Sequence, residues 1–241
     1  ATQLAALQSS APPMSYGLVH QVFEKEYGTG PERLFRSFDK APFAAASIGQ
    51  VHRAELTDGT PVAVKVQYPG VREAIDHDLA NVGMMIKLGG LVARGLDAGT
   101  IVRDLEDGIR AELDYRREAR WQQRFFEAFD GHAFVRVPRV YHELSSSTVL
   151  VQEFLRGQPF SAALELPQDE RNRLGEMIYR FCFGSIYRHG LFNGDPHPGN
   201  FLLLEDGKIG FVHYGCVAEF DVPPIQGCKR LIRALNAGDR A

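Results

Sequence analysis

The stretch NGDPHPGN, residues 193–200, decides how this chain is interpreted. Its Asp195 and Asn200 lie in a polar loop, stiffened by two prolines, between a predicted helix and a short apolar strand. This spacing is typical of phosphoryl-transfer sites, in which the Asp orients or deprotonates the attacking group and the Asn holds a divalent cation on the phosphates. Asp195 alone would also fit an Asx turn at the helix exit, but the full string of Asp, His and Asn fits that turn less well.

His213 stands where such a site carries its second metal-binding residue. The apolar strand predicted over Lys208–Val212 ends at His213-Tyr214-Gly215, at the position that normally holds an Asp. A neutral imidazole binds softer divalent ions such as Mn²⁺ or Zn²⁺ better than Mg²⁺, which prefers oxygen ligands. Two interpretations stay open: His213 is a metal ligand, or it is a hydrogen-bonded residue that binds no metal and leaves the site impaired.

Lys65 is the candidate phosphate-binding residue of the first half of the chain. It lies in the alternating stretch VAVKV at residues 62–66, after the hairpin signal Thr57-Asp58-Gly59-Thr60. A lone Lys in a strand is most often a surface residue, but a Lys on the strand after a phosphate-covering loop has this architecture too. Glu118 is its candidate partner in an ion pair that would fix the Lys on the phosphates.

Helical periodicity predicts long helices over about Val71–Arg94 and Thr100–Phe129. The second helix would carry Glu118 together with two further acidic residues, Glu112 and Asp114. Asp114 and Glu118 would share one face, because they are four residues apart. Acidic residues on such a helix usually pair with neighbouring arginines or face solvent.

The segment Ala44-Ala45-Ala46-Ser47 precedes the Lys65 strand where a phosphate-covering turn would lie. Such turns usually contain glycines, which let backbone N–H groups approach phosphate oxygens. The local sequence therefore favours the start of a helix or a packed corner for the alanines. Glu153 lies at the end of a strand predicted over Thr148–Phe154, and Leu155 follows it into a connector. The hinge of a two-lobe kinase would bind adenine through its backbone here, but a plain strand end fits the residue types equally well.

Composition limits the class of protein. With 241 residues, 44% of them hydrophobic, the chain can bury one large or two small cores. A net charge of −3 implies no basic face, which argues against nucleic acid as the partner. A strand pair at Val137–Glu143 and Thr148–Phe154 closes a first part, and helices at Asp169–His189 and Ile225–Ala237 dominate the second. The layout predicts an α+β fold with two lobes, residues 1–154 and 155–241.

Four segments together resemble the UbiB/ADCK/ABC1 family of atypical protein-kinase-like proteins. They are the alanine-rich AAASIGQVH at residues 44–52, the Lys-bearing VAVKVQYPGV at 62–71, the ExD segment ELDYRREA at 112–119 and the loop at 193–200. Their order and spacing cover roughly Phe43 to Phe220, and the alanine loop with the ExD segment is nearly diagnostic.

The resemblance implies a protein-kinase-like fold with extra helices in the first lobe and ATP or ADP bound with Mg²⁺ or Mn²⁺. It implies a role for each candidate residue. The implied roles are catalysis for Lys65, Glu118 and Asp195, nucleotide binding for Ala44, Ala45, Ala46, Ser47, Lys65, Glu153 and Leu155, metal binding for Asn200 and His213, and regulation for Glu112 and Asp114.

The resemblance further implies ATP hydrolysis or phosphoryl transfer in support of ubiquinone or other prenyl-quinone biosynthesis. The implied partners are prenyl-quinone lipid intermediates and quinone-biosynthesis proteins. The implied location is the cytoplasm or the inner membrane as a peripheral protein, on the matrix side in a mitochondrion. Two alternatives stay open: an impaired pseudokinase that regulates a partner through bound nucleotide or lipid, and a phosphotransferase of the aminoglycoside- or choline-kinase type. The alanine loop and the ExD segment count against the phosphotransferase.

Three features depart from the family pattern. His213 replaces the family's metal-binding Asp, the family's KxGQ motif is expected upstream of Ala1, and the second lobe is expected to be truncated at Ala241. His213 and the expected truncation favour the pseudokinase.

Overall fold

The computed structural model describes residues 13–79 and 106–237. Contacts group them into two compact units: the described residues up to 119 with 140–154, and residues 120–139 with those from 155 onward. The sequence placed 120–139 in the first lobe. They pack in the second unit because Phe125 and Phe129 belong to its aromatic core.

The first unit is built on an antiparallel sheet of five strands. Its strands are β1 (Ser37–Phe38), β2 (Ala44–Ala46), β3 (Gly49–Glu55), β4 (Pro61–Gln67) and β6 (Val149–Glu153). The order is β1-β3-β4-β6, and β2 also pairs with β3. Val62, Val64 and Val66 of β4 point to one face, where they pack with Val19 and Phe23 of the first helix. Because side chains alternate along a strand, Lys65 points to the opposite face of the sheet.

Helices of the first unit begin with α1 (Tyr16–Tyr27), which ends at Gly28 in the left-handed conformation. Residues 71–79 form α2 and residues 106–112 form α3. Helix α4 (Tyr115–Ala128) begins in this unit, and short 3-10 helices lie at Pro31–Arg33 and His142–Leu144.

The second unit contains two small sheets and two long helices. Its strands are β5 (Val135–Arg136), β7 (Gly157–Pro159), β8 (Leu191–Asn193), β9 (Phe201–Leu204), β10 (Ile209–Phe211) and β11 (Val217–Glu219), and its helices are α5 (Gln168–His189) and α6 (Val222–Asn236), with 3-10 turns at Phe160–Glu165 and Pro198–Asn200. One sheet has the order β5-β10-β9-β7, and β8 pairs with β11. Phe181 of α5 stacks on Phe211 of β10 with ring centroids 3.6 Å apart, which fixes the strand that leads to His213.

Several predicted elements are confirmed. Glu55 and Pro61 flank the predicted hairpin turn, in which Gly59 takes a positive φ of 87°. The helix predicted at Asp169–His189 forms as α5, and the strand at Phe201–Leu204 forms with the predicted bounds.

Two predicted elements are wrong in the described residues. Val137–Glu143 forms no strand but only a bridge from Val140 to Gln152, because Pro138 has no N–H to donate to a ladder. The helix predicted over Thr100–Phe129 is interrupted after residue 112. The part of the helix predicted at Val71–Arg94 that follows residue 79 lies outside the described residues, as does the start of the helix predicted from Thr100.

Candidate functional site

Lys65 lies in the middle of β4 on the sheet face opposite the valine core. Its cross-strand partners are Val51 in β3 and Leu150 in β6, so these side chains share its face. Lys65 is only 6% exposed, which is unusual for a lysine without a charged partner.

Glu118 of α4 is that partner. Lys65 Nζ donates a hydrogen bond to Glu118 Oε1 at 2.6 Å, and both side chains are buried. The ion pair expected from the sequence is therefore present. Since a buried charge without its partner is strongly unfavourable, each of these residues holds the other in place.

A break between α3 and α4 sets the position of Glu118. The Leu113 carbonyl accepts hydrogen bonds from Gln67 Nε2 at 3.1 Å and Arg72 Nη2 at 2.8 Å, which replace helical ones. Asp114 Oδ1 then accepts the Arg116 N–H at 3.0 Å, as a capping residue does. The prediction that Asp114 and Glu118 lie on one face of a continuous helix is wrong, because Asp114 caps α4 from outside it.

Glu112 is the last residue of α3 and lies before this break. It is half-buried, as is Asp114, and both belong to the first unit with Lys65 and Glu118. The two ExD acids thus flank the buried Leu113, whose carbonyl anchors the break.

The alanine segment forms a strand. Ala44, Ala45 and Ala46 pair with residues 51, 50 and 49 of β3, so the local preference for a helix or corner is overridden by strand pairing. Ala44 lies opposite Val51, which lies opposite Lys65. The register therefore places Ala44 and Ala46 on the Lys65 face, and Ser47 is exposed at the turn.

Asp195 and Asn200 meet in the second unit. Asp195 follows β8, and Asn200 ends the 3-10 turn Pro198–Asn200. Asn200 Nδ2 donates to Asp195 Oδ2 at 2.7 Å and to the Asp195 carbonyl at 3.2 Å. His197 Nδ1 accepts the Gly199 N–H at 3.1 Å, so the histidine of the motif stabilises the loop.

His213 lies beside the same carboxylate. Its Nε2 is 3.8 Å from Asp195 Oδ2, and its side chain is 17% exposed. That distance is too long for a direct hydrogen bond, but it places the imidazole next to the Asp195 carboxylate. The structure thus brings Asp195, Asn200 and His213 together.

Asn193 is a site residue that sequence reasoning missed. Its Nδ2 donates to the His213 carbonyl at 2.9 Å, and its Oδ1 accepts the Asp195 N–H at 3.2 Å. One buried amide therefore ties the Asp195 loop to the end of the strand that leads to His213. The sequence could have indicated this role, because Asn193 is the first residue of the motif and ends the strand before it.

The donor set of this loop fits a metal ion that arrives with phosphate oxygens. Among the described residues, no cluster of three or more His, Cys, Asp and Glu side chains is arranged to hold a metal by itself. Asp195 supplies a carboxylate, His213 an imidazole and Asn200 an amide oxygen, since the Asn200 Nδ2 already faces Asp195. Hard divalent ions take six or more ligands, so phosphate and water would complete the shell.

Glu153 and Leu155, the two candidate base-binding residues, belong to different compact units. Glu153 ends β6 opposite Val62, and the ladder bond from the Phe154 N–H to the Pro61 carbonyl fixes the register. Alternation along an antiparallel ladder then turns the backbone groups of Glu153 away from β4. Leu155 belongs to the second unit.

Within the described ranges, no helix is long and apolar enough to cross a bilayer.

The ABC1 atypical kinase-like domain matches residues 6–241 of this chain. The chain is 39% identical over 239 residues to atypical kinase coq-8, mitochondrial, of Caenorhabditis elegans, covering 97% of this chain and 32% of the relative. It is 33% identical over 238 residues to atypical kinase COQ8, mitochondrial, of Saccharomyces cerevisiae, covering 98% and 48%. It thus spans about a third to a half of the length of these relatives.

A solved structure shares the fold. Rv3197 from Mycobacterium tuberculosis, determined in complex with erythromycin, matches with a TM-score of 0.79 and 38% identity, over 91% of this chain and 56% of that one. The match agrees with an α+β, protein-kinase-like architecture. With a family match over nearly the whole chain, this protein belongs to the ABC1 atypical kinase-like family.

Proposed function

We propose that this chain is the nucleotide-binding module of an atypical kinase or ATPase. The buried ion pair between Lys65 and Glu118 carries the proposal, because it holds an ammonium group on a sheet face next to the alanine hairpin. Kinase-like folds use such a pair to bind the α- and β-phosphates of ATP. The proposed cofactor is ATP or ADP with Mg²⁺ or Mn²⁺.

The candidate residues of each compact unit have proposed tasks. Lys65 binds phosphate, Glu118 orients Lys65, and the segment Ala44–Ala46 with Ser47 covers the phosphates. The backbone of Glu153 and Leu155 binds the base. The ExD acids Glu112 and Asp114 act as a regulatory pair; the capping bond of Asp114 supports this role, since a change there would be transmitted to Glu118 one turn on.

In the second unit, Asn200 and His213 are the proposed metal-binding residues, and a bound metal ion would neutralise phosphate charge during transfer. Asp195 orients the attacking hydroxyl or water and takes up its proton. The hydrogen bond from Asn200 Nδ2 fixes the Asp195 carboxylate, which supports a role in positioning a small group.

The proposed process is ubiquinone or related prenyl-quinone biosynthesis, and its support is the resemblance to COQ8 atypical kinases. Prenyl-quinone intermediates and quinone-biosynthesis proteins are the corresponding partners. The proposed location is peripheral to an inner membrane or in the cytoplasm, with the matrix side proposed for a eukaryotic protein. The relatives named mitochondrial support a mitochondrial location.

A second candidate function is a pseudokinase that binds nucleotide or lipid and regulates a partner. His213 favours it, because a neutral imidazole brings no negative charge to a metal held on phosphates. The two candidates share nucleotide binding and differ in turnover.

Two measurements on wild type, His213→Asp and Asp195→Ala separate them. A weakened enzyme hydrolyses ATP faster as His213→Asp and loses hydrolysis as Asp195→Ala. A regulator shows no turnover in any of the three, yet its melting temperature rises with Mg–ADP or Mn–ADP. Replacement of the exposed His142 by Gln controls for loss of a histidine. No thermal shift with any nucleotide would exclude both functions.

A further inference from the structure

Gln152 is a buried polar residue on the Lys65 face of the first-unit sheet. It lies in β6 directly opposite Ala63, two residues along from the pair formed by Lys65 and Leu150. Cross-strand partners share a face, so Gln152 and Lys65 lie on the same one, about 7 Å apart along the strand direction. Only 3% of Gln152 is exposed.

The Gln152 side chain carries an unused acceptor. Its Oε1 is buried and has no hydrogen-bond partner among the described residues. Its opposite residue Ala63 has no polar side-chain atom to offer. Leaving a buried amide oxygen unpaired is unfavourable, and native proteins tolerate it mainly where a ligand or water completes the bond.

The other buried glutamines of the described residues serve the fold. Gln50 bonds to Met14 and His52, and Gln67 donates to two backbone carbonyls. Gln122 also has a buried Oε1 with no partner among the described residues, but its Nε2 donates to the Pro138 carbonyl. Each therefore connects segments that are distant in the chain. Gln152 instead directs its amide to the face that carries the phosphate-binding candidate.

We propose that Gln152 determines base specificity, by accepting a hydrogen bond through Oε1 from the exocyclic amine of adenine. The proposal rests on the proposed nucleotide site and names its base. An amine at C6 has two N–H groups, so one can bond to the strand-end backbone near Glu153 and the other to Gln152. A base with a carbonyl oxygen at C6 would instead place that acceptor against Gln152 Oε1, which is also an acceptor.

The register supports this assignment. Phosphates held by Lys65 and a base held near the end of β6 are separated by the ribose, and Gln152 lies toward the strand end from Lys65. Ala63, which lies opposite Gln152, adds only a methyl group to this face. Gln152 is therefore a specificity residue that contacts the base, distinct from the residues proposed to act on phosphate.

The test compares three nucleotides on wild type, Gln152→Met and Gln152→Leu, by calorimetric titration with Mg²⁺. The nucleotides are ATP, purine riboside triphosphate, which lacks the amine, and inosine triphosphate, which has a carbonyl there. Wild type is expected to bind ATP about 3- to 10-fold more tightly than the purine analogue, as one buried hydrogen bond allows. Gln152→Met is expected to reduce that ratio by weakening ATP binding alone, and the part that remains belongs to the bond between the amine and the strand-end backbone.

A stability measurement excludes a merely structural role. Without nucleotide, Gln152→Met is expected to melt no lower than wild type, because Met conserves volume and removes an unpaired buried amide. Gln122→Met is the matched control: it loses the bond to Pro138 and melts lower, but keeps the wild-type preference for ATP. Gln152→Leu repeats the test with a branched side chain should Met fail to fold.

Three results overturn the inference: equal wild-type affinity for ATP and the purine analogue, equal weakening of both by either Gln152 variant, or a loss confined to inosine triphosphate. The last would show that Gln152 donates through Nε2. Wild type that binds no nucleotide at all overturns the proposed function as well. Wild type that binds nucleotide with an unchanged ratio in the variants overturns only the role of Gln152.

Discussion

Lys65 Nζ and Glu118 Oε1 lie 2.6 Å apart, although the two residues are separated by 53 positions in the chain. A strand supplies the lysine, and a helix that starts at the Leu113–Asp114 break supplies the glutamate. Exposed pairs of this kind contribute little to stability, but both of these side chains are buried. The two residues are expected to act as one energetic unit, because each buried charge is stabilised by the opposite charge of its partner.

Lys65→Met or Glu118→Gln alone is expected to lower the free energy of unfolding by about 3–5 kcal/mol, since each removes the oppositely charged neighbour of a buried charge. The double variant is expected to lose much less than the sum, because no charge remains. Urea unfolding of the four proteins measures the coupling. The exposed pair of Glu176 and Arg180 is the control, and its cycle is expected to give under about 0.5 kcal/mol. Additive losses at Lys65 and Glu118 would contradict the prediction.

Asn193→Ala is expected to destabilise the second unit by about 1–3 kcal/mol, because it removes the hydrogen bonds that join the Asn193 side chain to the His213 carbonyl and the Asp195 N–H. It is also expected to reduce the thermal shift that Mg–ADP produces, since Asp195 loses a fixed position. Asn172→Ala removes an exposed amide that bonds only within α5 and should leave both measurements nearly unchanged. If Asn193→Ala behaves like this control, the bridging role is wrong.

His52 makes the stability of the first unit depend on pH. Burial lowers its pKa below the ordinary 6.5, against the opposing effect of its hydrogen bond to the Asp39 carbonyl. As the pH falls through 6.5, the unfolded chain takes up a proton that the folded chain does not, so the free energy of unfolding falls. The decline stops once the pH is below the folded pKa.

His52→Gln is therefore expected to flatten the decline of unfolding free energy between about pH 7 and pH 5, by at most about 1.4 kcal/mol per pH unit. Urea unfolding across that range measures the slope. The exposed His142→Gln is the matched control. A slope that changes equally in both variants would show that His52 is not its source.

Gly49→Ala is expected to destabilise the alanine hairpin by roughly 3 kcal/mol, because a Cβ there would lie 2.2 Å from the Val66 carbonyl oxygen in the paired strand. Gly175→Ala in α5 meets no atom within 4 Å and is expected to stabilise by about 0.5–1 kcal/mol. Thermal unfolding of the two variants should therefore shift in opposite directions. A neutral Gly49→Ala would mean that β3 and β4 separate easily at this point.

Elements with strong local signals were predictable. The turn at Asp58-Gly59 and the stop of α5 at Gly190 both depend on glycine at a positive φ, which neighbouring residues determine. The alanines of β2 were not predictable, because their intrinsic preference is helical and only pairing with β3 makes them a strand. The break at Leu113 was hidden for the same reason: it is stabilised by Gln67 and Arg72 from elsewhere in the chain.

The sequence by itself indicated that Asp195 and Asn200 act together, since they lie five residues apart in one loop and bond to each other there. It also indicated the family through four short segments in a set order. Only the tertiary structure decided that Lys65 meets Glu118, that Asn193 ties Asp195 to His213, and that Gln152 shares a face with Lys65. Backbone preferences act between neighbours, whereas these relationships depend on strand register and packing between residues far apart in the chain.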